Sequence, residues 1–108
     1  MSNFDEFLNL AKSQVVDLAK ALCKDCAEAA IADGNKFLDD CKPDLELWTS
    51  QLASDKLSQD DFEYLIKTKK DVAVMDALKR AGLTSVRIDK FRSALLDALV
   101  KTAIKFIP

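Results

Sequence analysis

The chain has 108 residues, 49% apolar and 31% charged, with a formal net charge of −2, the make-up of one globular domain over 1–108 rather than of a disordered or fibrous chain. Two glycines, Gly34 and Gly82, and two prolines cannot supply a GxGxxG or P-loop phosphate cradle or a turn-rich β-sandwich. The absence of histidine removes Ser-His-Asp and Cys-His catalysis and His-ligated metals, so the expectation is a non-enzymatic protein with no catalytic residue, cofactor or metal.

Apolar residues recur at helical spacing throughout, and no stretch alternates as a strand would. The first helix starts after Ser2 or Asn3, both good caps, with Asp5 and Glu6 in the first turn where the helix dipole favours them. Phe4, Leu8, Ala11, Val15, Leu18 and Leu22 form a heptad-like stripe. A second stripe follows through Ala19, Cys23, Cys26, Ala30, Phe37 and Cys41, with the small-residue segment Ala27–Ala32 inside it. Gly34-Asn35 is the weak point of this run. An unbroken helix to Cys41 would be about 57 Å long, too long for a compact domain with a radius of gyration of about 13 Å, and would call for a partner.

Lys42-Pro43 predicts the end of that helix, because the residue before proline avoids helical geometry. A short second helix carrying Leu45, Trp48 and Leu52 then runs to about Ser54. Ser58 opens the third helix as an acidic variant of the capping box, with Leu57 and Phe62 at the staple positions. Phe62, Leu65 and Ile66 form its face, continued with a slight rotation by Val72, Met75 and Leu78, either as one helix or as two, since Asp71 could cap a new segment after a break at Lys70-Asp71. Ala81-Gly82-Leu83 predicts a Schellman ending. The last helix follows Thr84 or Ser85, with Ile88, Phe91, Leu95, Ala98 or Leu99, Thr102 and Phe106 on its core stripe and Leu96, Val100 and Ala103 on a second. The expected fold is therefore all-α: a bundle of about four helices, the first longest and the second shortest. Its core draws on Phe7, Leu8, Val15, Leu18, Leu22, Trp48, Leu52, Phe62, Leu65, Ile66, Leu78, Ile88, Phe91, Leu95, Leu99 and Phe106.

Charge divides unevenly. Residues 1–61 carry 13 acids and 6 bases, and residues 62–108 carry 5 acids and 10 bases. Intramolecular attraction between the halves is the simpler reading, and an anionic partner for the basic half is the other. Ala77–Phe91 resembles a helix-turn-helix of the bacterial repressor type in a helix ending at Gly82, an apolar Leu83, polar Thr84-Ser85, and Ile88 and Phe91. It departs from that motif at Leu78, where a small residue is usual, and in the acidic net charge. The resemblance implies nucleic-acid or anionic-partner contacts by Lys79, Arg80, Ser85, Arg87, Lys90 and Arg92.

Cys23-Lys24-Asp25-Cys26 is a CxxC. Set mid-helix, it reads as core packing, since free cysteine behaves as a small hydrophobe, and three thiols fall short of a four-ligand structural zinc site. Adjacent acids at Asp39-Asp40 and Asp60-Asp61 point about 100° apart on a helix and do not converge. Apolar runs of only four residues, far short of the roughly 20 a span requires, and an acidic start without a signal-like run lead to the expectation of a cytoplasmic protein away from membranes. The functional expectation is helix-mediated protein–protein interaction: self-association as a homodimer, or binding of another helical protein. A small DNA-binding regulator and a thiol-based metal or redox sensor are the alternatives.

Overall fold

The helical periodicity is realised along most of the described residues. The computed structural model describes residues 3–71 and 73–106, the side chains of residues 3 and 106 excepted. Helices α1 (Asn3–Leu22), α2 (Ala27–Ala53), α3 (Gln59–Thr68), α4 (Asp76–Arg80) and α5 (Ser85–Phe106) form an all-α bundle, with no strand among the described residues.

The first boundary falls elsewhere than the sequence predicts. The chain leaves α1 at Cys23, makes a single 3-10 turn over Lys24–Cys26, and re-enters helix as α2. That helix runs for 27 residues through both Gly34 and Pro43, so the expected stop at Lys42-Pro43 is corrected, and the long helix is the second rather than the first. An interior proline costs about 3 kcal/mol. Beyond Pro43, α2 buries Leu45, Thr49 and Leu52, and each large apolar side chain so buried contributes about 1.5–3 kcal/mol. Continuing the helix therefore outweighs the proline. No glycine or proline marks Cys23. Folding there lays the Ala11–Val15–Ala19 stripe of α1 against the Ala30–Gly34–Phe37 stripe of α2, all of it buried.

The hairpin is antiparallel and tight. A Cβ placed on Gly34 would lie 2.6 Å from Val15 Cγ1 and 3.1 Å from Cγ2, so α1 sits where an alanine would be. At 1.5 Å per residue α2 spans about 40 Å, nearly the full 42 Å length of the molecule. Its first half carries α1, and its second half carries α3. The α5 helix runs antiparallel to α1 and packs along it. The radius of gyration is 13.6 Å, so the protruding helix anticipated from the sequence does not arise.

Asp33, beside Gly34, is buried. Its Oδ1 accepts a hydrogen bond from Ala77 N at 3.0 Å and its Oδ2 one from Leu78 N at 2.8 Å. These are the donors an N-cap side chain would satisfy, and the residue at the cap position, Met75, does not reach them. A carboxylate from another helix thus caps α4. Arg92 holds the same segment from α5, donating from Nε to Ala73 O at 2.9 Å. The predicted punctuation elsewhere is realised. Ser58 Oγ accepts from Asp61 N at 3.1 Å, and Thr84 Oγ1 accepts from Arg87 N at 3.3 Å. Gly82, at φ 89°, places Leu83 N on Leu78 O and its own N on Lys79 O, a Schellman ending. The α2 end repeats that pattern with Asp55 at φ 61° in the glycine position.

Of the expected core, Leu18, Leu22 and Trp48 are partly buried at its edge, as is Leu65. Cys23, Leu38, Leu45, Met75 and Leu96 join the buried set. Val72 and the Phe106 side chain, both assigned core-facing positions from sequence, lie outside the described residues. Lys69 pairs with Asp44 at 2.5 Å and lies 5.5 Å from the centre of the Trp48 ring, clipping the end of α3 to α2.

Two substitutions test this frame. Gly34→Ala gains about 1 kcal/mol of helix propensity but overpacks Val15, and a net loss of about 1–2 kcal/mol is expected in urea unfolding. Adding Val15→Ala should make the pair less destabilised than the sum of its members. Asp33→Ala should cost about 2 kcal/mol and accelerate amide exchange at Ala77 and Leu78 ahead of α2; uniform exchange would contradict the cap.

Candidate functional site

Three places on the surface bear on function. The first is a groove of about 450 Å³ between α1 and α5. Gln14 and Leu18 form one wall, and Ala94, Ala98 and Thr102 form the other at successive four-residue steps. Four-residue spacing keeps the three small side chains on one line of α5, away from the line of Leu95 and Leu99 that fills the core. Asp97, Lys101 and Lys105 stand along the rim. Leu10, 43% exposed, prolongs the apolar wall toward the start of α1. Neither Asp97 nor Lys101 forms an ion pair among the described residues. This groove was only half legible in sequence: the broad apolar surface of the last helix was visible, but its second neighbour was not.

The second place is the turn at Gly82. The six residues that the helix-turn-helix resemblance singles out divide into two sets. Arg87 donates to both carboxylate oxygens of Asp25, at 2.9 and 3.4 Å, and to Leu22 O at the end of α1. Arg92 is held by Asp89 and the Ala73 carbonyl, with its side chain only 16% exposed. Lys79, Arg80, Ser85 and Lys90 are exposed around the turn. The attraction between the acidic and basic halves is realised at Arg87–Asp25 and Lys69–Asp44. The Asp25 carboxyl lies below the usual carboxylate range because Arg87 donates to it, and the Arg87 guanidinium is held still more firmly charged by the same bond.

The third place is the α1–α2 corner. Its CxxC does not lie mid-helix, as the unbroken reading implied. Cys23 is buried where α1 ends, and Cys26 is half-buried at the N-cap of α2. Burial pushes both thiols up, with the neighbouring Cys26 adding to the effect on Cys23 and Asp25 to that on Cys26, against a smaller opposing pull from Arg87. Cys41, buried in α2, is raised by burial as well. No group of three or more metal-ligating side chains converges among the described residues, and no described helix is long and apolar enough to cross a membrane. Protein-family models, curated proteins and solved structures give no match to the chain.

The Arg87–Asp25 contact has a definite pH dependence. A carboxyl whose folded value is lowered contributes stability above its unfolded value, about 3.9, and loses it as pH falls through the folded value. Arg87→Met should therefore be less stable than the parent at neutral pH, and the difference should shrink below about pH 4. Thermal melts at both pH values check this.

Proposed function

We propose that this chain is a non-catalytic helical interaction domain that self-associates, with the α1–α5 groove receiving the same groove of a second copy. The observation that carries the reading is the line Ala94–Ala98–Thr102, flanked by Asp97 and Lys101. In an antiparallel, two-fold arrangement centred near Ala98, the small side chains of one α5 meet those of the other, and the backbones approach closely. The same operation sets Asp97 against Lys101 of the partner subunit, twice over. These two charge pairs favour the antiparallel arrangement.

A face about 30 Å long and two helix widths across, about 20 Å, buries roughly 600 Å² per copy, or about 1,200 Å² in all, at the lower bound for specific interfaces. The association is therefore reversible and concentration-dependent. The reducing cytoplasm is the compartment that keeps a free thiol such as Cys41 reduced.

A DNA-binding reading retains Lys79, Arg80, Ser85 and Lys90, which flank the Gly82 turn and face solvent. It is weaker, because Arg87 and Arg92 are committed within the chain. Salt-sensitive binding to mixed-sequence duplex DNA, lost in Lys79→Gln/Lys90→Gln, would promote it above self-association.

Light scattering across a concentration series decides the main reading. The parent should pass from one chain to two, and Ala98→Glu should remain one chain with an unchanged circular dichroism spectrum. Asp97→Lys and Lys101→Asp should each weaken the dimer, and their combination should restore it. A parent that stays monomeric at millimolar concentration, or a dimer indifferent to Ala98→Glu, overturns the proposal.

A further inference from the structure

The α1–α2 corner carries chemistry that self-association does not use. Cys26 N donates to Cys23 O at 2.9 Å, closing a four-residue turn. Such a turn holds its first and last Cα atoms within about 7 Å, and disulfides span about 4.4–6.8 Å between Cα atoms. Both residues have left helical geometry, Cys23 at φ −133°, ψ 51° and Cys26 at φ −148°, ψ 39°, so the two side chains are not held in a helical register. Cys41 offers no competing bridge to Cys26. The two are 15 residues apart, about 22 Å along α2.

The two thiols also differ in access. Cys23 is fully buried in the core, whereas Cys26 is half-buried at the surface. Arg87, anchored on Asp25 and Leu22 O, places its guanidinium close enough to favour a thiolate on either sulfur.

We propose that Cys23 and Cys26 are a reversible dithiol–disulfide pair, with Cys26 the entry thiol and Cys23 the resolving thiol, that exchanges with low-molecular-weight disulfides of the glutathione type. Cys26, deprotonated, attacks one sulfur of the small disulfide. The S–S bond of that molecule breaks, a mixed disulfide forms on Cys26, and the first small thiol departs with a proton. Cys23, deprotonated, then attacks the Cys26 sulfur, and the second small thiol leaves. Two protein thiols are oxidised, one small disulfide is reduced to two thiols, and the protein loses two hydrogens. The bridge locks the corner that sets the hairpin. Because burial holds both thiols protonated at neutral pH, the exchange is slow there, and its rate rises about tenfold per pH unit until the raised thiol values are reached.

The test is an intact-mass measurement on the full chain. Reduced protein is incubated with excess oxidised glutathione, quenched in acid, unfolded and alkylated. One alkylated cysteine, Cys41, is expected instead of three. Trypsin cleavage after Lys24 should leave two peptides joined until a reductant is added. Cys23→Ser should halt at a persistent glutathione adduct on Cys26, while Cys26→Ser should take up no adduct at Cys23. A parent that keeps three free thiols, stops at the glutathione adduct, or links chain to chain overturns the proposal. The parent result stands by itself if a variant fails to fold.

Discussion

The constraint on which the packing turns is the contact between Gly34 and Val15. A helix interior disfavours glycine by about 1 kcal/mol relative to alanine, and here that cost permits an approach no side chain would allow. The adjacent Asp33 extends the consequence to the other side of α2. Consecutive helical positions point about 100° apart, so one residue seats α1 while its neighbour caps α4. One turn of α2 thus sets two of the interfaces of the bundle.

From that turn the remaining contacts follow. With α4 held by Asp33, the Schellman ending at Gly82 delivers the chain to Thr84, which caps α5. Arg92 on α5 returns to the Ala73 carbonyl ahead of α4, and Arg87 returns to the end of α1. The two arginines close the ring from the far side. Their attachment is why the basic half of the chain presents less free positive charge than its composition implies. What α5 leaves outward is a line of small residues beside α1, together with an acid and a base spaced four residues apart.

The corner at Cys23 joins these themes. No breaker residue marks it, so the turn exists because two apolar stripes gain more by facing each other than one helix gains by continuing. A corner made by tertiary packing rather than by glycine or proline can carry reactive side chains, and this one carries two thiols, one inside the core and one at its edge.

The sequence by itself determined the all-α class, the cap at Ser58, the Schellman ending at Gly82, and the apolar faces of the first, third and last helices, because these depend on spacing and on local hydrogen bonds. Only the tertiary structure decided where the first helix ends, that Pro43 is carried within α2, that Asp33 is a cap and not a surface acid, and that Arg87 and Arg92 are spent inside the chain. Each of those outcomes sets a local preference of one to a few kcal/mol against burial or a hydrogen bond to a residue 19 to 65 positions away in sequence, and no local pattern encodes such a partner. The α1–α5 groove was only half legible for the same reason: it is made of two half-faces from opposite ends of the chain.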